Sequence, residues 1–79
     1  MPTPVRLPNL GAEASEARII AWRFRVGDRV SSGELIAEVE TDKAMVDLEA
    51  PVSGRIAEIL APEGTEVPVG AIIAMIEDV

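Results

Sequence analysis

The stretch Leu35–Ala50 reads Leu-Ile-Ala-Glu-Val-Glu-Thr-Asp-Lys-Ala-Met-Val-Asp-Leu-Glu-Ala. Apolar and acidic residues alternate on both sides of its centre, which is the pattern of β-strands with one buried face. Pairing residues 35–41 with residues 44–50 around a two-residue loop sets Val39 opposite Val46. A slip of one residue would bury the acids, so this register is strongly specified. The stretch therefore predicts an antiparallel hairpin.

The apex of that hairpin carries Asp42 and Lys43. The loop lacks the Gly or Asn that a type I′ turn prefers, so we expect a type I turn. Lys43 is the only lysine beside six arginines, and a lysine amine can be acylated whereas a guanidinium stays charged. A merely solvated lysine at a turn is the alternative. Against it, carboxylates surround the tip, and Glu38 opposite Asp47 is an unfavourable pair that a hairpin does not need. We interpret this acidic surround as a recognition surface.

The hairpin belongs to a duplicated half. A shift of 37 residues aligns identical residues at eight of the 24 positions from Ala17 to Glu40. The matches are Arg18/Arg55, Ile19/Ile56, Gly27/Gly64, Val30/Val67, Gly33/Gly70, Ile36/Ile73, Ala37/Ala74 and Glu40/Glu77. Because the repeat occurs twice only, it predicts two similar halves related by an approximate two-fold axis.

The fold class follows from the spacing of β-forming runs and breaks. Runs rich in β-formers cover residues 17–24, 35–41, 44–50, 55–60 and 71–77, with a further strand expected around residues 5–7. Gly, Pro, Asp and Ser separate these runs, which is typical of short strands. We predict an all-β flattened barrel or sandwich of two packed sheets with internal quasi-two-fold symmetry. The same symmetry predicts that the Lys43 tip and the C-terminus lie at opposite ends.

Composition restricts the functions that this chain can perform. Its 79 residues fit one domain, 1–79, and they include neither Cys nor His. The usual general base, thiol nucleophile and commonest metal ligands are therefore missing, so we expect neither catalysis by this chain alone nor a metal site. The net charge of −7 argues against nucleic-acid binding. No run approaches the roughly 20 apolar residues of a membrane span, and no signal peptide is recognisable.

Three motifs resemble the lipoyl domains of the 2-oxo acid dehydrogenase complexes. They are Glu40-Thr41-Asp42-Lys43-Ala44, Pro51-Val52-Ser53-Gly54 and Pro62-Glu63-Gly64-Thr65, and the similarity covers residues 4–78. The resemblance implies a fold of two four-stranded antiparallel sheets and a lipoic acid held in amide linkage on Lys43. It also implies that the modifying enzyme, a lipoate ligase or lipoyl transferase, recognises Glu40, Asp42 and Ala44.

The same resemblance implies a substrate carrier that is not itself an enzyme. A thiamine-diphosphate-dependent decarboxylase (E1) would acylate the lipoyl group, the acyltransferase core (E2) would pass the acyl group to coenzyme A, and a dihydrolipoamide dehydrogenase (E3) would reoxidise the dithiol. The parent chain would be a dihydrolipoamide acyltransferase, and the domain itself a monomer in the bacterial cytoplasm instead of the mitochondrial matrix. The ending at Val79 without a Pro/Ala-rich linker suggests an excised piece. Pro62-Glu63-Gly64-Thr65 favours the pyruvate type.

One loop departs from the family pattern. By resemblance it lies close to the lipoyl-lysine and helps to select the decarboxylase. Its residues are Asn9, Leu10, Gly11, Ala12, Glu13, Ala14 and Ser15. The Ala-rich content is unusual for the family, so the identity of the 2-oxo acid stays open.

Other carriers and a plain binding module are the alternatives. A biotinyl carrier domain shares the fold and the lysine position but has Met on both sides of the lysine, whereas here Asp42 and Ala44 flank it and Met45 comes one place late. The glycine-cleavage H protein is longer and contains helices. An unmodified β-sandwich interaction module is the third reading. The single tryptophan, Trp22, is expected to be a core or half-buried residue.

Overall fold

Two four-stranded antiparallel sheets form the fold in the computed structural model, which describes residues 2–10 and 15–78. The strands are β1 (Thr3–Arg6), β2 (Glu16–Trp22), β3 (Arg29–Val30), β4 (Leu35–Glu40), β5 (Met45–Glu49), β6 (Gly54–Ile59), β7 (Glu66–Pro68) and β8 (Ile72–Glu77). One sheet has the order β1-β8-β6-β3 and the other β5-β4-β2-β7. The predicted all-β class and the two four-stranded sheets are confirmed.

The duplication extends to individual residue pairs. Shifting by 37 residues converts the pair Arg18↔Glu40 of β2 and β4 into the pair Arg55↔Glu77 of β6 and β8. The register irregularity after Ile19 recurs at the equivalent place after Ile56. The fourth strand of the second half comes from the N-terminus, because β1 pairs with β8 as β5 pairs with β4. The quasi-two-fold arrangement predicted from the repeat is therefore present.

The shortest strands were not among the predicted runs. β3 has two residues and β7 has three, too few to show an alternating pattern. Pro68 lies in β7, at an edge of its sheet, where a missing N–H is tolerated. The predicted strand over residues 17–24 was too long, because β2 ends at Trp22 and the chain then bends.

Aliphatic side chains from both halves fill the space between the sheets. Ile19, Ile36, Ile56 and Ile73 are all at most 1% exposed, and they form two symmetry-related pairs. In the described part of the chain no polar or charged residue is fully buried. Trp22 packs half-buried against this core, with its Nε1–H donating to the carbonyl oxygen of Ala61 at 2.8 Å. The structure thus confirms the packing role expected for Trp22.

Candidate functional site

The β4–β5 hairpin has the predicted register from Ala37 to Glu40, but the register shifts before Ala37, so Leu35 pairs with Glu49 and not with Ala50 as predicted. Val39 pairs with Val46 and Ala37 with Leu48, and Val39, Ala37 and Leu48 are buried. Glu40 pairs with Met45 and Glu38 with Asp47 on the opposite face. Asp42, Lys43 and Ala44 follow β4 at the apex and are exposed. The lysine is therefore held out at a bend and not within a strand.

The side chain of Thr41 organises the turn that carries Lys43. Its Oγ1 accepts hydrogen bonds from the backbone N–H groups of Lys43 at 3.2 Å and Ala44 at 3.1 Å. The backbone N–H of Thr41 donates to the carbonyl oxygen of Ala44 at 2.8 Å. Within residues 2–10 and 15–78 only glycines have positive φ, which excludes turn types I′, II and II′ and is compatible with the predicted type I turn. Sequence reasoning missed Thr41, although a Thr just before a tight loop often caps it.

A groove of about 370 Å³ opens beside the apex. Its lining residues are Ser15, Glu16, Arg18, Glu40, Thr41, Asp42 and Glu66. Arg18 lies between Glu40 and Glu66 on adjacent strands, so its guanidinium faces an acid on either side. Four carboxylates against one guanidinium make the groove acidic. Of the residues predicted for recognition, Glu40 and Asp42 line it.

The predicted loop of residues 9–15 meets this groove at one end. Ser15 is one of the lining residues. Asn9 is exposed and Leu10 packs partly against the core. Gly11, Ala12, Glu13 and Ala14 lie outside the described residues.

An ion pair accounts for part of the acidic surround. The Nη2 atom of Arg23 lies 2.9 Å from Oε1 of Glu38, and this contact offsets the repulsion expected between Glu38 and Asp47. Both partners of the ion pair are partly exposed, with side-chain exposures of 55% and 27%. Pairs of this kind contribute at most about 1 kcal/mol.

The path of β8 separates the lysine tip from the C-terminal end of the domain. The N–H of Val69, just before β8, donates to the carbonyl oxygen of Ser15 at 2.9 Å, which places the start of β8 near the groove. From Ile72 to Glu77 a strand advances by about 17 Å, and the domain is 36 Å long. β8 therefore ends at Glu77, away from the groove, as the repeat predicts for the C-terminal end, whereas Val79 itself lies outside the described residues.

The described residues lack two further kinds of feature. The described residues hold no group of three or more His, Cys, Asp or Glu placed to bind a metal ion. The described part of the chain also has no helix with the length and apolar character to cross a membrane.

Comparison with known sequences gives a consistent set of relatives. Residues 3–76 match the family described as "Biotin-requiring enzyme". The dihydrolipoyllysine-residue acetyltransferase component of the pyruvate dehydrogenase complex of Rhizobium meliloti is 43% identical over 77 residues, which cover 96% of this chain and 17% of the relative. The succinyltransferase component of the 2-oxoglutarate dehydrogenase complex of Bartonella vinsonii is 39% identical over 77 residues, covering 98% and 19%. The chain thus spans less than a fifth of these relatives.

Solved structures share the fold. The lipoyl domain of the 2-oxoglutarate dehydrogenase complex of Azotobacter vinelandii superposes with a TM-score of 0.77 at 28% identity, covering 95% of both chains. The urea carboxylase of Kluyveromyces lactis gives a TM-score of 0.79 at 23% identity, covering 98% of this chain and 6% of the carboxylase. The second likeness shows the fold alone.

Proposed function

The chain belongs to the biotin/lipoyl family, and from that premise we propose that it is a lipoyl carrier domain with lipoic acid in amide linkage on Lys43. The observation that carries the proposal is the exposed Lys43 at the apex of a hairpin whose turn is closed by Thr41. A rigid scaffold that projects one amine suits a residue that must enter the active sites of other enzymes. β4 and β5 position the turn, and the long side chain of Lys43 extends from it into solvent.

Lipoic acid, when attached, supplies a dithiolane that can be reduced, acylated and reoxidised. The chain itself contributes attachment and recognition, because it has no cysteine for redox chemistry and no histidine for proton transfer. The bases and the carbon–carbon bond cleavage would belong to the decarboxylase. A flexible tether would raise the local concentration of the carried group at each enzyme.

The residues beside Lys43 favour lipoate over biotin. Asp42 and Ala44 flank it, and the relatives above that match nearly the whole chain are named for dihydrolipoyllysine. A biotinyl carrier is the second candidate, supported by the family description and by the shared fold of the carboxylase. We assign recognition by the modifying enzyme to Glu40, Asp42 and Ala44.

The parent chain is proposed to be a dihydrolipoamide acetyltransferase of the pyruvate type. The Rhizobium meliloti relative, at 43% identity, carries the acetyltransferase name, although the succinyltransferase relative is also 39% identical. The corresponding partners are the decarboxylase, the acyltransferase core, the dihydrolipoamide dehydrogenase and a lipoate ligase. These relatives are bacterial, which supports a cytoplasmic location. We propose that the domain, residues 1–79, acts as a monomer.

The negative charge of the groove would speed association with a positively charged partner. Opposite charges on a partner would steer association with the groove side, and the association rate would fall as salt rises. The loop of residues 9–15 ends at this groove, so we propose that it contributes to the choice of decarboxylase.

Intact mass spectrometry tests the assignment. The unmodified chain is incubated with lipoate ligase, lipoate and ATP, or with biotin ligase, biotin and ATP. We expect one lipoyl addition, mapped to Lys43 by peptide sequencing, and no biotin. Biotin alone would support the second candidate, and no addition from either enzyme would contradict both.

The acyl group is tested on the lipoylated domain. Purified decarboxylases are supplied with pyruvate, 2-oxoglutarate or a branched-chain oxo acid, and reductive acylation is followed by mass. We expect the pyruvate enzyme to give the highest kcat/KM. A preference for 2-oxoglutarate would overturn the acetyl assignment while leaving the carrier function intact.

A further inference from the structure

The two halves of the domain share one turn geometry but carry opposite charge on it. The turn between β2 and β3 reads Arg-Val-Gly-Asp-Arg over residues 25–29, and its equivalent between β6 and β7 reads Pro-Glu-Gly-Thr-Glu over residues 62–66. The central glycines have φ of 96° and 90°. Each donates its N–H to an equivalent isoleucine carbonyl, Gly27 to Ile56 at 2.8 Å and Gly64 to Ile19 at 2.7 Å. The backbone is therefore duplicated while the charges differ.

The residue pairs in the strands that follow these turns differ in electrostatic energy. Arg29 lies directly opposite Arg55, whereas the equivalent Glu66 lies directly opposite Arg18. All four side chains are exposed. Like charges in a directly opposed pair are unfavourable and opposite charges are favourable. Because the duplicated backbone accepts an acid–base pair at this position, the fold does not require the arginine pair.

The nearby carboxylates compensate for the arginines only in part. Oδ2 of Asp28 accepts the backbone N–H of Arg25 at 2.9 Å, so this carboxylate caps the turn. Glu77 pairs with Arg55 on the side away from Arg29. Arg25, Arg29 and Arg55 thus outnumber Asp28 and Glu77, in a chain whose net charge is −7. An exposed apolar residue, Val26, lies within the same turn with 58% of its surface accessible.

We propose that Arg25, Val26, Arg29 and Arg55, here called the basic turn patch, bind an acidic segment of a partner protein. Guanidinium groups hold carboxylates by paired hydrogen bonds, and an exposed valine adds apolar contact. Nucleic acid is a poor fit because the rest of the chain would repel a phosphate backbone. Local charge conflict that the fold does not need is typical of a binding surface.

The location of the patch suits a docking role that leaves the lysine tip open. Arg55 pairs with Glu77 at the end of β8 that lies away from the groove. A partner bound at this end of the domain would leave Lys43 uncovered. This inference does not depend on which group Lys43 carries.

The test uses the whole 79-residue chain, ¹⁵N-labelled, and a short oligoglutamate peptide as the probe. We expect saturable amide shifts confined to residues 25–30 and 54–56, weakening as salt rises. An oligoglutamine peptide of equal length should cause none. R29E copies the Glu66 arrangement of the other half, so it should stay folded, and it should weaken binding by about tenfold or more.

Symmetry provides a matched control. R55Q should also weaken oligoglutamate binding, by less than the charge reversal R29E, whereas R18Q, at the equivalent position of the other half, should leave it unchanged. The proposal is overturned if the wild-type chain shows no saturable shift, if R29E binds as tightly as the wild type, or if the shifts centre on the groove. Tighter binding of a single-stranded oligonucleotide than of oligoglutamate would also overturn it.

Discussion

The hydroxyl oxygen of Thr41 accepts the backbone N–H of Lys43 at 3.2 Å. Together with the bond from Ala44 at 3.1 Å, this contact fixes the orientation from which the lysine side chain leaves the turn. A modifying enzyme must bind the turn in one conformation, so any freedom gained there lowers the competent fraction.

Replacing Thr41 by Val removes the hydroxyl at nearly constant shape. We expect T41V to lower kcat/KM for lipoylation about fivefold, the equivalent of about 1 kcal/mol for the lost hydrogen bonding. T41S, which keeps the hydroxyl, should retain most of the rate. Steady-state kinetics with the unmodified domain as substrate measures both variants, and thermal unfolding shows whether they remain folded. Equal rates for T41V and T41S would show that the hydroxyl group does not contribute to lipoylation.

Replacing Lys43 by Arg keeps the charge but removes the acylable amine. We expect K43R to gain no mass with lipoate ligase and to support no reductive acylation. Because the residue is exposed at a turn, stability should change by less than about 0.5 kcal/mol. R23Q, which alters a cation at a distance from the tip, should be lipoylated at the wild-type rate. A normal lipoyl mass on K43R would contradict the attachment site.

The residues flanking Lys43 are expected to choose between the two modifying enzymes. Changing Asp42 and Ala44 together to Met creates the neighbours typical of biotinyl carriers, and we expect part of the protein to take biotin from a biotin ligase. Both positions are exposed, so the fold should be unaffected. The measurement is competition between the two ligases, read by intact mass. Absence of biotin from the double variant would show that discrimination lies elsewhere, and Met45 or the groove would be the next candidates.

The register of the hairpin from Ala37 to Glu40 was predictable because two independent constraints agreed. Alternation fixed which residues face inward, and a two-residue loop fixed the register, so Val39 had to meet Val46. The internal repeat then predicted the arrangement of the sheets, because β8 pairs with β6 as β4 pairs with β2.

Contacts that depend on irregularities were not predictable in this way. The ion pair between Arg23 and Glu38 is an example. Arg23 lies beyond the end of β2, and Glu38 lies opposite the register irregularity in β2. The alternation of side chains along a regular strand predicts neither position. The strands β3 and β7 are too short to produce a period. The groove brings together three separated segments, and its lining from Ser15 to Glu66 has no local signature.

A final prediction concerns Gly54, at which the two halves differ in packing. The equivalent residue is Ala17, which is buried and carries its methyl group without difficulty. A Cβ at Gly54 would overlap the carbonyl oxygen of Glu77 and approach Cγ2 of Ile76 to 2.8 Å. β6 would therefore have to move away from β8.

We expect G54A to lower the free energy of unfolding by about 1–3 kcal/mol, the usual range for overpacking. The sign of this change in stability separates two explanations for the glycine. If Gly54 mattered only through its backbone freedom, alanine would instead stabilise the domain by about 0.4–1 kcal/mol, by restricting the unfolded chain. Urea denaturation of G54A and the wild type measures the difference, and an unchanged m-value would show that the unfolded states are comparable. Gly54 lies in β6, on the sheet that does not contain the lysine hairpin, so lipoylation at temperatures below the transition should proceed at the wild-type rate. Equal or greater stability of G54A would mean that β6 and β8 can separate at that point more easily than the close contact with Glu77 indicates.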